Sequence, residues 1–422
     1  MLIVPNSYGA LSATSANTIQ GHKPGFSGQS GAKKLGFKVG DIYYSEANPV
    51  LGGSNTTKDK IVSGTPKLFE PSLRLKDFKV QDLTINDFNV MTDYYDADGD
   101  GAANPAFTVI GAVSHQWFDG NGTVITDEAQ MIGCGSGLTP LLTLKINLSA
   151  QSHSKYGDPR DSDPAGLEQR YQIKAPTSGF CFAKPNGLTW WDSNGSGSQD
   201  SGNATPDPTY GGGYNEAQFD PVNGFKASAN PKFPTTGFVG AEFTLKMIGN
   251  LSDYTFTHNG GTAITLNTTT GKVRLNSKPS GAVTITATKN GTPHTYTFKP
   301  TLWVVPKSGQ MTYASAKSVC GSESNMATRA NLTNSPQNNA PEGWSHFSNY
   351  YTRAVSGGVF GEWGYTTRSA YPSSQWTPDW RFYWTCDVHS SGYQFVVTSY
   401  NGHVSFSSIG SGGYSGYAVC LG

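Results

Sequence analysis

The sequence is poor in cysteine, methionine and charge. Of its 422 residues five are Cys and six are Met, and charged residues make up 14%. Cys134, Cys181, Cys320, Cys386 and Cys420 form no Cys-x-x-Cys pair and no zinc spacing, so disulfides in an oxidising compartment fit them better than a metal. The pairing read here is Cys134 with Cys181 and Cys320 with Cys420, which leaves Cys386 as a buried thiol. Thirty acids balance thirty bases, so no global field draws in nucleic acid or an anionic membrane. No apolar run approaches the roughly 18 residues of a transmembrane helix. Met1-Leu-Ile-Val-Pro5 lacks the basic start and the length of a secretory signal, so a signal or anchor is expected outside these residues.

Catalytic signatures are missing as well. Gly195-Ser-Gly197 and Gly309 lack the strand-turn-helix setting of a nucleophile elbow. His115, His153, His258, His294, His346, His389 and His403 are scattered, with no His-Glu-x-x-His. Glu342 and Glu362 could approach one another in a fold, but spacing alone does not pair them.

What is abundant is Gly, Thr, Ser, Asn and Tyr, with 51 Gly and 21 Tyr. That mixture suits short strands joined by tight turns, and the length suits two to four domains. Residues 1–75 carry little periodicity beyond one or two strands around Gly40, and read as a β-rich lead-in. From 76 to 183, apolar residues alternate with polar ones at 83–90, 107–110, 113–118 and 141–148, which predicts an immunoglobulin-like sandwich around Trp117. A Cys134–Cys181 bridge would close it, although Trp117 precedes both Cys, unlike the antibody pattern. Residues 184–237, with Trp190-Trp191 and Gly211-Gly-Gly213, read as a loop-rich linker. A second sandwich is predicted at 238–306, with strands at 242–247, 254–257, 263–266, 272–275, 283–288 and 294–298. The connector 303–306 is too short for a floppy hinge.

The final module, 307–422, is dense in Trp, Tyr and Gly, including Trp344, Trp363, Trp376, Trp380 and Trp384. Helices are expected at 313–320 and 328–332, strands at 395–398, 404–406 and 417–420, and a turn at 400–403. Cys320 on the opening helix and Cys420 on the closing strand would tie the module's ends together, at about 4–5 kcal/mol in the chain-entropy account.

Ser315-Ala-Lys-Ser-Val-Cys320, Met326-Ala-Thr-Arg329, Gly358-Val-Phe-Gly-Glu-Trp-Gly364, Tyr383-Trp-Thr385 and Tyr417-Ala-Val-Cys-Leu-Gly422 together resemble the C-type-lectin-like cap that ends the invasin and intimin adhesins. They resemble still more the large Salmonella-type repeat adhesins of enteric bacteria, a group associated with inverse autotransporters. Lys34-Leu-Gly-Phe37, Ile132-Gly-Cys-Gly-Ser-Gly137, Phe219-Asp-Pro-Val-Asn-Gly-Phe-Lys-Ala227 and Lys232-Phe-Pro-Thr-Thr-Gly-Phe238 extend the likeness upstream. The resemblance implies a mainly β protein, with tandem immunoglobulin-like sandwiches and a small α+β C-type-lectin-like cap. It implies a surface-displayed or secreted bacterial adhesin whose cap meets a host-cell protein or glycan, or a partner bacterial surface protein, without catalysis. Two other classes stay open: a carbohydrate-active enzyme with sandwich modules, betrayed by a carboxylate pair in a Trp-lined cleft, and a structural stalk repeat with a flat polar cap.

Two sets of residues are singled out. Asp96, Asp98 and Asp100 reproduce the first half of a calcium loop, yet Phe107 stands where the bidentate Glu belongs. A solvated acidic turn is the preferred reading there, a structural calcium the alternative, and no other cofactor is expected. Asp158, Asp161 and Asp163, between Pro159 and Pro164, form a stiff acidic loop with a weaker metal signal. In the cap, Trp376, Trp380, Arg381, Asp387 and His389 are the candidate ligand-binding residues, because contact hot spots favour Trp and Arg. Trp363 and Trp384 are read as core. The paired triplets of calcium-dependent lectins are absent, and Thr377-Pro-Asp379 only brushes against them.

Overall fold

The structure, a computed structural model, describes residues 21–26, 28–47, 57–135, 137–187, 211–339, 350–410 and 415–422. Trp190, Trp191, Ser196, Glu342, Trp344 and His346, along with Met1 to Pro5, lie outside the described residues. The fold is mainly β, and the chain divides into two compact units, Met1–Ala175 and Pro176–Gly422.

In the first unit, β1 (Gly25–Phe26) pairs with β7 (Tyr94–Tyr95). Helices α1 (Gly28–Ala32) and α2 (Val90–Asp93) pack against one another. A four-stranded sheet runs in the order β4 (Thr57–Lys60), β3 (Ile42–Ser45), β2 (Gly36–Val39), β6 (Lys79–Val80). A five-stranded sheet runs in the order β5 (Lys67–Leu68), β11 (Ala165–Lys174), β10 (Leu142–Ser154), β8 (Ala102–Phe118), β9 (Val124–Ile125). Strict alternation on β10 buries Leu142, Leu144, Ile146, Leu148 and Ala150 and turns the residues between them outward. Trp117 is buried as expected, but its neighbours differ from the expectation. Its ring meets Phe78 edge-on at 5.3 Å, Phe78 lies 5.6 Å from Phe37, and Phe37 packs on Tyr44 and Tyr171. The stretch read as a lead-in therefore supplies aromatic side chains to the same core as 76–175, because β2 and β3 can bury Phe37 and Tyr44 nowhere else in the unit. Cys134 in this unit is disulfide-bonded.

The second unit begins with β12 (Phe180–Pro185), most of which falls within the 76–183 segment expected to form the first sandwich. A six-stranded sheet runs β13 (Phe219–Asp220), β14 (Gly224–Lys226), β12, β16 (Glu242–Met247), β19 (Lys272–Leu275), β18 (Ile264–Asn267). A three-stranded sheet runs β17 (Thr255–His258), β20 (Val283–Lys289), β21 (Thr292–Phe298). The stretch 211–237, part of the expected linker, is core material: Phe225 stacks on Phe233 at 4.5 Å, and Phe233 meets Phe243 edge-on. Arg353, only 1% exposed, lies over the rings of Phe219 and Phe225. Cys181 is disulfide-bonded.

The last sheet runs β15 (Thr236–Gly237), β22 (Leu302–Pro306), β26 (Tyr417–Leu421), β23 (Phe382–Ser390), β24 (Tyr393–Thr398), β25 (Val404–Ser408). The expected connector is thus an interior strand, parallel to β15 on one side and antiparallel to β26 on the other. Helices α3 (Tyr313–Val319), α4 (Arg329–Leu332) and α5 (Gly358–Trp363) complete the cap. Thr312 caps α3 by accepting from the Ser315 N–H, and Thr328 with Asn331 forms a capping box on α4. Asn401-Gly402 makes the β24–β25 turn; Gly402 sits at φ +70°, and a Cβ there would collide with the Thr333 hydroxyl. Sandwich and cap share one continuous core, in which Trp363 meets Phe233 at 4.8 Å and Phe238 at 5.3 Å.

Candidate functional site

Cys320 and Cys420 are bonded, with Cα atoms 5.3 Å apart across a sequence separation of 100. The bond joins the C-terminal end of α3 to the last strand, beside a small cluster of Tyr313, Ala316, Met326, Trp384, Val396 and Ala418. Among the described residues Cys386 is a free thiol, partly buried, and burial together with the nearby Asp387 charge pushes its pKa up.

The structure separates the five candidate ligand-binding residues. Trp376 is 0% exposed and wedged edge-on between Phe238 and Tyr383, at 5.4 and 5.2 Å. His389 is 5% exposed, with its ring stacked on Phe406 at 3.9 Å and edge-on to Phe395 at 5.0 Å. Both are core side chains and have no face to offer a partner. Asp387 is occupied inside the cap: it accepts the Arg329 N–H at 2.6 Å, while the Arg329 guanidinium lies 3.8 Å over the Phe395 ring. Proximity in sequence does not make one surface of them: Trp376, Trp380 and Arg381 precede β23, whereas Asp387 and His389 lie on it, where the pairing with β24 shifts register.

Trp380 and Arg381 remain at the surface. Trp380 is 37% exposed and rests edge-on against Tyr400 at 5.1 Å and Phe382 at 5.9 Å. The Arg381 Nη1 donates to the Trp380 carbonyl at 2.7 Å, and Nη2 lies 3.6 Å from the exposed Asp379 carboxylate. Burial pushes the Tyr365 hydroxyl pKa up, and the nearby Trp380 N–H pulls against that. The resulting ridge carries two aromatic rings, a cation and an anion over a rigid base. Tyr400 was missed as a site residue; its place in a hairpin turn after an apolar strand was the available signal.

The carboxylates singled out elsewhere in the sequence fare differently: those for catalysis gain nothing from the geometry, and the three Asp of the half calcium loop do come together. Glu362, one of the two carboxylates considered for catalysis, is fully buried in α5 and accepts from the N–H and hydroxyl groups of Thr235 and Thr236 and from the Ser356 N–H. Burial pushes its carboxyl pKa up and those donors pull it down, leaving no acid aimed at solvent. In the first unit, carboxylate oxygens of Asp96, Asp98 and Asp100 lie within 4.8 Å of one another. Asp96 also accepts from the Tyr94 hydroxyl at 2.8 Å and Asp98 from the His22 N–H, while Phe107 is 4% exposed in the core. Burial and the adjoining Asp98 carboxylate raise the Asp96 pKa, whereas the hydrogen bonds from Asp96 and the His22 N–H lower that of Asp98.

Residues 217–298 match the family model described as invasin, domain 4. Among solved structures, an intimin mutant from EHEC O157:H7 is similar at 21% identity and a TM-score of 0.31, over 48% of this chain and 92% of that one. Invasin, described as a bacterial integrin-binding protein, is similar at 16% identity and a TM-score of 0.38, over 75% of this chain and 58% of that one. A C-terminal 282-residue intimin fragment, solved with the intimin-binding domain of the translocated intimin receptor, gives 16% identity and a TM-score of 0.33, over 75% and 88%. No curated protein matches the chain. With its sandwich at 217–298 matching invasin domain 4, the chain carries the likeness to the invasin and intimin group of adhesins that its sequence motifs express.

Proposed function

We propose that this chain is part of a bacterial surface adhesin that binds a host-cell protein or glycan through its C-terminal cap, without catalysis. The observation that carries the reading is the exposed Trp380–Tyr400 ridge flanked by Arg381 and Asp379. Aromatic rings and arginine dominate contact energies, and a rigid base lowers the entropy lost on docking. The shared core and the Glu362 bonds supply that base. The match to invasin domain 4 supports an adhesin; a partner bacterial surface protein is the alternative occupant of the same ridge. A C-type-lectin-like character of the cap, a Salmonella-type origin and an extracellular location belong to the same proposal. Among the described residues no helix is long and apolar enough to cross a membrane.

The test is binding of the full chain to epithelial cells and to a glycan array. Trp380→Ala with an unchanged melting transition is expected to weaken binding about 30-fold, the loss of one hot spot. Unaltered binding by Trp380→Ala and Arg381→Ala together would remove this surface from consideration.

A further inference from the structure

A hydroxyl, an imidazole and a carboxylate are wired in series on the outer face of the first unit. The Thr108 hydroxyl lies 2.7 Å from His153 Nε2, and His153 Nδ1 lies 2.7 Å from Asp161 Oδ1. A carboxylate only accepts, so Nδ1 carries the proton, and Nε2 of the neutral ring must accept from Thr108. This is the arrangement that activates a hydroxyl nucleophile: a base in reach, held in its tautomer by a third group.

The sheet places an acyl group opposite that hydroxyl. In the β8–β10 register Thr108 faces Gln151, so their side chains leave the same face of the sheet, with Cβ atoms expected about 4.5–5.5 Å apart. His153, two residues along β10, shares that face. The Gln151 carboxamide is itself fixed, its Nε2 donating to the Ser162 carbonyl at 2.7 Å. The loop that supplies Asp161 and Ser162 is pinned to β10: the Ser162 N–H donates to the Ser152 carbonyl, the Ser152 N–H to the Ser162 hydroxyl, and the Ser154 N–H to the Arg160 carbonyl. Thr108 and Asp161 are exposed, so a diffusing substrate would be poorly held, whereas Gln151 is held by the strand pairing itself.

We propose that Thr108 and Gln151 form an intramolecular ester, made by the protein on itself. The Thr108 oxygen attacks the Gln151 side-chain carbonyl carbon as its proton passes to His153 Nε2. A C–O bond forms, the C–N bond breaks, and the same proton leaves on the departing nitrogen as ammonia. No oxidant, metal or co-reactant enters the balance. Juxtaposition replaces a bimolecular encounter, the effect that makes intramolecular acyl transfer fast. Asp161 is a positioning residue, acting through the imidazole. The ester would tie β8 to β10 covalently, so that strands loaded along their length cannot slide; this holds whether or not the cap binds as proposed above.

Intact mass spectrometry of the full chain tests it. The mass is expected to fall one ammonia below the sequence value, with a linked fragment containing both Thr108 and Gln151. Hydroxylamine should open the link and leave a hydroxamate at Gln151. Thr108→Val and Gln151→Ala, checked for an unchanged circular dichroism spectrum, should each restore the unlinked mass. Asp161→Asn should slow linkage at least tenfold after refolding and shift its pH profile. A parent chain at full sequence mass overturns the proposal, as does ammonia loss that persists in Thr108→Val.

Discussion

The Glu362 carboxylate takes both the N–H and the hydroxyl of Thr236 on one oxygen, at 2.8 and 2.6 Å. Thr236 opens the edge strand beside β22, Glu362 sits in α5 of the cap, and 126 residues of sequence separate them. The pair locks the invasin-type sandwich to the cap at a point where neither reaches water. Glu362→Gln keeps the shape but turns an acceptor of five donors into a partial donor. It is expected to cost about 2–4 kcal/mol, read as a lower denaturant midpoint for the second unit. An unchanged midpoint would mean that the apolar core alone joins the two parts.

Cys320 and Cys420 close a loop of about 100 residues, for which the chain-entropy account gives about 4–5 kcal/mol. Replacing both by Ala should lower the unfolding free energy of the second unit by at most that amount, and reductant should destabilise the parent more than the variant, in which only the bonded Cys134 and Cys181 remain to be reduced. Since Cys386 lies partly buried nearby, mispaired disulfides in a single Cys420→Ala variant would be a useful control.

Trp376 and Trp380, four residues apart, should behave oppositely. Trp376→Ala opens a cavity among Phe238, Phe360 and Tyr383 and is expected to cost about 3–5 kcal/mol. Trp380→Ala should leave calorimetric melting within about 0.5 kcal/mol of the parent, as for surface changes generally. Equal destabilisation by both would show that Trp380 is a packing residue.

Asp93 gives the first unit an acid-sensitive contact. It is 0% exposed and accepts from Lys34, Ser30 and the Asn89 N–H. Burial alone would raise its pKa, but those bonds together hold it below the usual 3.8. A lowered folded pKa means that the contribution is fully present above the unfolded value and is lost as pH falls through the folded one. Stability of the first unit should therefore decline below about pH 4, with a smaller decline in Asp93→Asn, itself about 3 kcal/mol weaker because Lys34 loses its carboxylate and keeps only the Asp87 carbonyl. A parallel pH profile in parent and variant would contradict this.

Calcium is expected to change little. Three clustered carboxylates without the bidentate Glu make a poor cage, and Phe107 fills the twelfth position in the core. Melting curves with millimolar calcium and with chelator should superimpose; a rise of several degrees that Asp98→Asn abolishes would establish a bound ion.

Local pattern was legible where local physics decides. The strands at 242–247, 272–275 and 283–289 follow from alternation, and α3 from its Ala residues and the three-to-four spacing of Tyr313, Ala316, Val319 and Cys320. Helix α5 was not legible, because Gly358-Val-Phe-Gly-Glu-Trp has poor helix propensity and is held by tertiary burial of all six residues. The domain limits at 75, 183 and 237 failed to mark core boundaries, because low-complexity loops around Phe37, Phe225 and Phe233 hide aromatic side chains whose burial depends on distant strands.

By itself, the sequence determined a mainly β protein of balanced charge, with a disulfide-tied C-terminal module and the motifs of an adhesin group, since composition, periodicity and motif are local, and Cys320 and Cys420 stand at the two ends of one module. Only the tertiary structure decided which aromatic residues face out. Trp376, His389 and Trp380 are alike in a linear chain, and their difference lies in whether Phe238, Phe406 or water completes the far side of the ring. Long-range packing makes that choice, and so does the meeting of Thr108, Gln151, His153 and Asp161, which strand register and a pinned loop bring onto one face.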